Sequence, residues 1–207
     1  MPEKKTATDK TIAIGITGAS GAAYALRLTE ALVNAGANIY LMVSGPGQVV
    51  LSMETDLKVP GRPEEMQAFF TQHLNADEGQ IQVFGKEQWM APVASGSGAP
   101  DAMVICPCTT GTLSSVASGA SRNLLERAAD VVIKESRKLI MVVRETPLSA
   151  IHLENMLKLA RLGVVILPAN PGFYQRPESL EDIVDFIVAR ILDQLDIKHT
   201  LLATWGE

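Results

Sequence analysis

The strongest constraint on the fold is a regular alternation of short apolar runs with segments of helical periodicity. The apolar runs predict β-strands at residues 11–16, 38–43, 81–84, 102–106, 139–143 and 164–167. The intervening and final segments predict helices at residues 21–35, 47–54, 63–74, 111–118, 122–138, 148–161 and 179–195. This alternation is typical of a parallel sheet, because each crossover helix returns the chain to the same sheet edge. We therefore predict a doubly wound, Rossmann-like α/β fold in three layers, with helices on both faces of a mostly parallel sheet.

Length and charge limit the possible classes of protein. The chain of 207 residues is long enough for one complete core and contains no linker, so we expect a single domain over residues 1–207. Residues 1–10 predict a flexible leader, and no segment predicts a secretory signal or a membrane span, which favours a cytoplasmic protein. A net charge of −5 without a basic cluster argues against nucleic-acid binding. The hydrophobic fraction of 47% predicts that other subunits cover part of the surface.

The first loop predicts a site for a phosphate group. In a doubly wound sheet, ligands bind beyond the carboxyl ends of the strands, where residues 17–21 (TGASG) join the first strand to the first helix. Backbone amides and a helix dipole at such a turn bind anions, although glycines there can also serve close packing alone. A dinucleotide site would need glycine in place of Tyr24 and an acidic residue in place of Ser44. A mononucleotide or another phosphate ester therefore suits the loop better than NAD.

The fourth strand leads into a second polar loop, ICPCTTGTLSS at residues 105–115. Its threonine hydroxyls and free amides suit a second side of the same ligand, and the alternative is a plain helix N-cap. Cys106 and Cys108 lack the spacing and the additional partners of a zinc site, so we expect buried thiols and no metal.

Charged residues follow at two further places. Arg144 and Glu145 end the fifth strand at the ligand edge, where the arginine suits an anion and the glutamate suits proton transfer. The alternative for these two is a surface ion pair. Arg190 is spaced three residues after Ile187 on the apolar stripe of the last helix, which predicts a buried arginine paired with either a carboxylate or an anionic substrate.

Six stretches of the chain are similar to the UbiX family of flavin prenyltransferases. They are GITGASGA at 15–22, ASGS at 94–97, PCTTGTLSSVASG at 107–119, RAADVVIKE at 127–135, VRETPL at 143–148 and PGFYQRPESLEDIVDFIVARILDQL at 171–195. The resemblance implies transfer of a dimethylallyl group from dimethylallyl monophosphate to N5 and C6 of reduced FMN, with release of phosphate and without a metal. It also implies a homo-oligomer, a dodecamer, with sites at subunit junctions, and delivery of the prenylated FMN to a UbiD-type decarboxylase.

The same resemblance implies roles for individual residues. The FMN-binding residues would be Gly18, Ala19, Ser20, Ser44, Thr109, Thr110, Gly111, Thr112 and Arg144. The substrate-binding residues would be Tyr174, Arg190, Lys134, Arg127, Ser95, Ala94 and Trp89, of which the last three would border the prenyl chain. Glu145, Lys134 and Ser20 would be catalytic, with Glu145 moving the proton and Lys134 stabilising the leaving phosphate.

Three alternatives belong to other functional classes. A flavin-dependent cysteine-type decarboxylase of the same fold would need a suitably placed histidine and a cysteine in the loop at 169–177, and this chain has neither. A non-catalytic FMN-binding protein would have no use for Arg190 or for a pair formed by Lys134 and Glu145. A nicotinamide dehydrogenase is opposed by Tyr24 and Ser44 in the first two loops.

Overall fold

The computed structural model describes residues 8–202, in which six parallel strands form one sheet of order β3-β2-β1-β4-β5-β6. The strands are β1 (Thr11–Ile16), β2 (Asn38–Val43), β3 (Ile81–Val83), β4 (Ala102–Cys108), β5 (Lys138–Val143) and β6 (Val165–Ile166). The helices are α1 (Ala22–Asn34), α2 (Gly45–Glu54), α3 (Pro63–His73), α4 (Thr110–Ala117), α5 (Leu124–Lys134), α6 (Ala150–Arg161) and α7 (Leu180–Gln194). The strand order changes direction between β1 and β4, which confirms the predicted doubly wound α/β fold and marks the edge where ligands bind.

Hydrophobic clusters cover both faces of the sheet. On one face, α1, α3 and α7 contribute residues such as Leu28, Phe70 and Ile191. On the other face, α4, α5 and α6 contribute residues such as Val132 and Leu159. Strands enclosed in this way carry continuous apolar runs, because a parallel sheet has no solvent-exposed face. The burial of the strands explains why their sequences predicted their positions well.

The fourth strand is longer than the sequence predicted. It continues through Pro107 to Cys108, and every one of its residues is buried. Proline cannot donate a hydrogen bond to a neighbouring strand, and the pairing of β4 with β5 shifts register between Ile105 and Cys108. The irregularity accommodates the proline, so the strand does not end where the sequence suggested.

Residues 8–10, the described part of the predicted leader, are hydrogen-bonded to the rest of the domain. Residues 1–7 lie outside the described residues, but the amide of Thr8 donates to the carbonyl of Ala35 at 3.0 Å. The ammonium group of Lys10 donates to the carbonyl of Leu195 at 2.6 Å, just beyond the end of α7. Carbonyls at a helix C-terminus attract a cation, and this long-range partner is invisible in the local sequence. Among the described residues, no helix is both long and apolar enough to cross a membrane.

Candidate functional site

The N-termini of α1, α2 and α4 lie side by side at the carboxyl edge of the sheet. They follow β1, β2 and β4, which are neighbours in the sheet order. Gly18 is needed for this arrangement, because a Cβ atom at that position would collide with the ring of Pro46 in the first turn of α2. The amide of Ser44 donates to the carbonyl of Ile16 at 3.0 Å and joins the same two loops. The positive ends of three helix dipoles therefore face one region.

The loop before α4 combines a helix cap with amides that remain available for a ligand. The hydroxyl of Thr109 accepts a hydrogen bond from the amide of Thr112 at 3.0 Å and contacts the hydroxyl of Thr112 at 2.9 Å. Among residues 8–202, no hydrogen bond takes the amide of Thr110 or of Gly111. Thr109 therefore caps the helix, while the next two amides are available for an anion, and ligand binding by this loop stays a prediction.

Ser44 occupies a similar capping position at the start of α2. Its hydroxyl accepts a hydrogen bond from the amide of Gly47 at 3.0 Å, which caps the helix. Its position at the end of β2 places this hydroxyl at the same sheet edge as Thr109 and Gly18. A hydroxyl that accepts one hydrogen bond can still donate its proton to an anionic oxygen.

Glu54 was not identified from the sequence. It is the last residue of α2, and its carboxylate lies at the N-terminus of α1. Its carboxylate accepts hydrogen bonds from the amides of Gly21 at 2.8 Å and Ala22 at 2.9 Å, and from the hydroxyl of Ser20. Burial alone would raise the pKa of Glu54, but these three hydrogen bonds and the charge of Arg144 lower it below its usual value. The site thus contains an ionised carboxylate where the sequence predicted only donors for an anion.

Arg144 and Glu145 lie at this edge of the sheet. They do not form a surface ion pair with each other, which the sequence had left open as an alternative to functional roles. Arg144 extends to the loop between β1 and α1, where its Nε donates to the carbonyl of Ser20 at 3.1 Å. The carboxylate of Glu145 accepts a hydrogen bond from the amide of Thr146 at 3.1 Å and is partly exposed. Arg144 therefore holds the first loop in place, and Glu145 remains accessible for chemistry.

A second group of predicted residues lies along α5. The Nε of Arg127 donates to the carbonyl of Ala94 at 3.1 Å, which fixes the loop containing Ser95 against the helix. The loop has two short turns of 3-10 helix, Pro92–Ala94 and Gly96–Gly98, which the sequence did not predict. Trp89 is exposed where this loop begins.

Lys134 lies at the opposite edge of the sheet from Glu145. It ends α5 just before β5 begins, and its ammonium group pairs with Glu135. Since the strands are parallel, the start of β5 marks the amino edge, whereas Glu145 follows the carboxyl end of the same strand. The pair of Lys134 and Glu145 expected from the sequence is therefore not formed within one chain, because the length of the sheet separates the two side chains.

The prediction that Arg190 points with the apolar face of α7 was wrong. Its side chain is 53% exposed and pairs with Asp193 at 2.7 Å. The buried face of α7 is centred near Val188 and Ile191, and Arg190 lies on the opposite side of the helical wheel. One turn earlier in α7, the ring of Phe186 contacts the ring of Tyr174 edge-on, with 5.8 Å between the centroids.

The two cysteines are fully buried in β4, and burial raises the pKa of both thiols. A thiol in such surroundings is a poor nucleophile and a poor metal ligand at neutral pH. Among residues 8–202, no group of three or more histidine, cysteine, aspartate or glutamate side chains is placed to hold a metal ion. That both thiols are dispensable for the chemistry stays a prediction.

Comparisons with known proteins relate this site to a family. The sequence model of the Flavoprotein family matches residues 1–192. The flavin prenyltransferase UbiX of Pseudomonas aeruginosa is 58% identical over 196 residues, which cover 95% of this chain and 94% of that protein. Two solved structures share the fold over nearly their full lengths. The crystal structure of AnUbiX in complex with FMN and dimethylallyl pyrophosphate has a TM-score of 0.85 and 36% identity, covering 97% of this chain and 99% of that chain.

The second structure is a dodecameric FMN-dependent UbiX-like decarboxylase from Escherichia coli O157:H7, with a TM-score of 0.83 and 37% identity. The match covers 95% of this chain and 100% of that one. Similarity of this extent leaves no major part of the fold without a counterpart in these relatives. The chain is therefore a member of the Flavoprotein family and, within it, of the UbiX flavin prenyltransferases.

Proposed function

We propose that this enzyme prenylates reduced FMN at the carboxyl edge of its sheet, with a dimethylallyl phosphate ester as the second substrate. The observation that carries the proposal is the pair of partner-free amides of Thr110 and Gly111 at the N-terminus of α4, in a chain 58% identical to a flavin prenyltransferase. The complex of AnUbiX supports the choice of both substrates. The sequence resemblance favours the monophosphate, whereas AnUbiX was crystallised with the pyrophosphate.

The loops fit FMN by their donor chemistry. The amides of Thr110 and Gly111, with the hydroxyls of Thr112 and Ser44, would bind the phosphate group, because each can donate to an anionic oxygen. On the neighbouring loop, Gly18, Ala19 and Ser20 would bind the flavin together with Arg144, whose guanidinium already holds that loop. When bound, reduced FMN supplies the electron-rich N5 and C6 atoms that accept the prenyl group.

Two carboxylates at this edge, those of Glu145 and Glu54, can have different roles in the reaction. The partly exposed carboxylate of Glu145 would accept the proton that the prenyl group replaces and return it to the departing phosphate. Glu54 is held ionised at the N-terminus of α1 and orients the hydroxyl of Ser20 by accepting its hydrogen bond. A hydroxyl that donates its proton to a carboxylate presents its lone pairs to the substrate and can relay a proton to Glu54, which is consistent with the catalytic role proposed for Ser20.

The residues proposed for the prenyl phosphate would come from neighbouring copies of the chain. Lys134 lies at the amino edge, Arg127 lies on the same side of α5, and Arg190 is exposed on the outer side of α7. Cations and donors in these positions would stabilise the charge of the leaving phosphate, together with Tyr174, only after the subunits assemble. We extend the proposal to a homo-oligomer, a dodecamer, in which Trp89, Ala94 and Ser95 of one copy border the prenyl chain in the site of another.

Exposed apolar side chains near the site support such an assembly. Met90 is 97% exposed, and its neighbour Trp89 and the α2 residues Val49 and Met53 are also exposed. Apolar side chains of this size are normally covered in the functional state. The UbiX-like structure from Escherichia coli O157:H7, which is 37% identical to this chain, is dodecameric and supports the proposed assembly. Delivery of the product to a UbiD-type decarboxylase and a cytoplasmic location stay predictions from the sequence.

An anaerobic incubation tests the proposed reaction. The protein is mixed with reduced FMN and either dimethylallyl monophosphate or dimethylallyl pyrophosphate, and the extracted flavin is weighed by mass spectrometry. We expect the flavin mass to increase by one dimethylallyl group less the displaced hydrogen, together with release of the phosphate. Recovery of unmodified FMN with both esters would contradict the proposal, and the relative rates would identify the preferred ester.

A proline substitution tests the placement of the FMN phosphate. Thr110 is the first residue of α4, and Thr109 before it has an extended backbone, so Thr110→Pro removes one amide donor without breaking the helix. We expect the Kd for FMN to rise roughly tenfold, as the loss of one charge-assisted hydrogen bond implies. Leu180→Pro is the matched control, because it makes the same change at the first residue of α7. Equal FMN affinities for the two variants would place the phosphate elsewhere.

A further inference from the structure

A buried hydroxyl connects the two loops that the FMN site requires. Thr17 directly follows β1, and only 2% of its surface is exposed. Its Oγ1 donates to the carbonyl of Pro107 at 2.6 Å and accepts a hydrogen bond from the amide of Thr109 at 2.9 Å. The amide of Thr17 also donates to the carbonyl of Pro107 at 3.3 Å. One side chain therefore joins the end of β1 to the N-cap of α4.

The position of this hydroxyl follows from the way the sheet ends. The register of β1 with β4 extends only to the pair of Gly15 and Ile105. Beyond that pair, β4 continues through Pro107, which has no amide to donate. The hydroxyl of Thr17 provides the hydrogen bonds that the strand ladder no longer makes, so the two loops keep a fixed relative position beyond the end of regular pairing.

We infer that Thr17 is a positioning residue for FMN, which acts by fixing the α4 N-terminus relative to the loop that begins at Gly18. Thr17 does not itself donate to a ligand, since its hydroxyl already has both a donor and an acceptor partner. Without the hydroxyl, the amide of Thr109 would lose its partner in a partly buried place, and the loop would have to move to find another. The inference rests on the proposed placement of the FMN phosphate at α4.

The test removes the hydroxyl while keeping the shape of the side chain. In Thr17→Val, we expect the Kd for FMN to rise roughly tenfold, because the loop before α4 must then be ordered when FMN binds. At saturating FMN, turnover should stay close to that of the unmodified enzyme. Thr17→Ser retains the hydroxyl and should restore FMN affinity to within about threefold of the original, a difference below 1 kcal/mol. FMN binding is followed by quenching of flavin fluorescence.

Thr29 provides a matched control elsewhere in the core. Its hydroxyl is equally buried and donates to the carbonyl of Ala25 at 2.7 Å within α1. Thr29→Val should change the melting temperature of the FMN-free protein without changing its Kd for FMN. If Thr17→Val behaves in the same way, with an altered melting temperature and an unchanged Kd, Thr17 is only structural and the inference fails.

Two further variants keep the result unambiguous. If Thr17→Val does not fold, Thr17→Cys replaces the hydroxyl with a weaker hydrogen-bonding group of similar size and should give an intermediate Kd. An unchanged Kd in folded Thr17→Cys would then overturn the inference.

Thr110→Pro separates the proposed placement of FMN at α4 from the positioning role of Thr17. If it leaves FMN binding intact, the placement of FMN is wrong, whereas weaker binding in Thr110→Pro with normal binding in Thr17→Val contradicts the positioning role alone.

Discussion

Glu54 shows how a residue can be unfavourable in its own helix and favourable in the folded protein. It ends α2, where a negative charge meets the negative end of the helix dipole, and the last turn has no basic residue to compensate. The compensation comes from the amides of Gly21 and Ala22, more than thirty residues away in sequence. An uncompensated negative charge at a helix C-terminus indicates that Glu54 has a partner elsewhere in the fold. No pattern in the sequence identifies that partner.

The lowered pKa of Glu54 predicts how its contribution to stability depends on pH. A carboxylate with a lowered pKa in the folded protein stabilises it fully above its pKa in the unfolded chain, about 4.3, and this stabilisation is lost as the pH falls through the folded value. Glu54→Gln should therefore melt at a lower temperature than the unmodified protein at pH 7. The difference should shrink steadily below about pH 4.

Thermal melts at a series of pH values from neutral to acidic provide the measurement. Glu154→Gln serves as the control, because Glu154 is exposed on α6 and takes part in no ion pair among the described residues. Its melting temperature should follow that of the unmodified protein throughout. A gap for Glu54→Gln that stays constant into the acidic range would show that the carboxylate acts by its shape and not by its charge.

Other single residues mark the limit of what spacing reveals. Arg190 matched the apolar stripe when the stripe was counted from Ile183 and Ile187, but the buried face is centred on Val188. A helix has charged residues along both borders of its apolar face, and only the neighbouring elements decide where that face lies. The roles of Thr109 and Ser44, in contrast, were predictable because an N-cap is a local interaction.

At the scale of elements, the sequence predicted the strands and helices well and their ends less well. Enclosed parallel strands must be apolar along their whole length, so β1 and β2 have the bounds that their apolar runs predicted. The helix predicted at 122–138 is shorter, because Asn123 caps α5 and the chain turns after Lys134 to begin β5. Such ends depend on capping and on the next strand, which periodicity does not describe.

The contact between α1 and α7 should contribute to the stability of the protein but not to its affinity for FMN. Arg27 and Asp185 form two hydrogen bonds across these helices, at 2.6 Å and 3.1 Å, and both side chains are partly buried. Asp185→Asn should destabilise the protein by about 1.5 kcal/mol, the lower end of the range for hydrogen bonds to charged groups. For a chain of this size, the melting temperature should fall by roughly 3–6 °C.

The affinity for FMN should remain unchanged in Asp185→Asn, because the pair lies outside the loops at the carboxyl edge. Glu65→Gln is the comparison, since it removes an exposed ion pair with Arg62 that spans 3.4 Å. Exposed pairs contribute little, so this variant should melt within about 2 °C of the unmodified protein. A similar loss of stability in both variants would mean that the contact between α1 and α7 has no special importance.

At the scale of the whole molecule, the proposed catalytic groups are divided between the two edges of the sheet. The eleven residues of α5 alone span about 16 Å between the first turn of the helix and Lys134. This division could not be predicted from the sequence, in which Lys134 and Glu145 are only eleven positions apart. Although the two residues are close in the sequence, the fold separates them, so that each would contribute to a different site of the oligomer.

Mixed oligomers test this division directly. Glu145→Gln and Lys134→Ala should each lose activity, by roughly 10²–10⁴ for the glutamate variant. When the two variants are co-expressed in equal amounts, some junctions pair an intact Glu145 from one copy with an intact Lys134 from another. Random assembly should restore roughly one quarter of the sites, whereas a site formed within one chain could not be restored by mixing.

Controls exclude a trivial recovery of activity. Each variant is also expressed alone and mixed with itself, and the two purified variants are combined under conditions that prevent exchange of subunits. None of these samples should gain activity. Continued inactivity of the co-expressed mixture, with mixed oligomers demonstrated by mass spectrometry, would show that Lys134 and Glu145 do not meet at a junction.

The burial of Cys106 and Cys108 has a practical consequence for following these assemblies. Both native thiols are enclosed in β4 with a raised pKa, so maleimide dyes should react with them slowly while the protein is folded. A cysteine introduced at an exposed position outside the proposed subunit junctions, such as Glu154, could then carry a single fluorophore without removal of the native thiols. Energy transfer between donor-labelled and acceptor-labelled copies would report subunit exchange in real time.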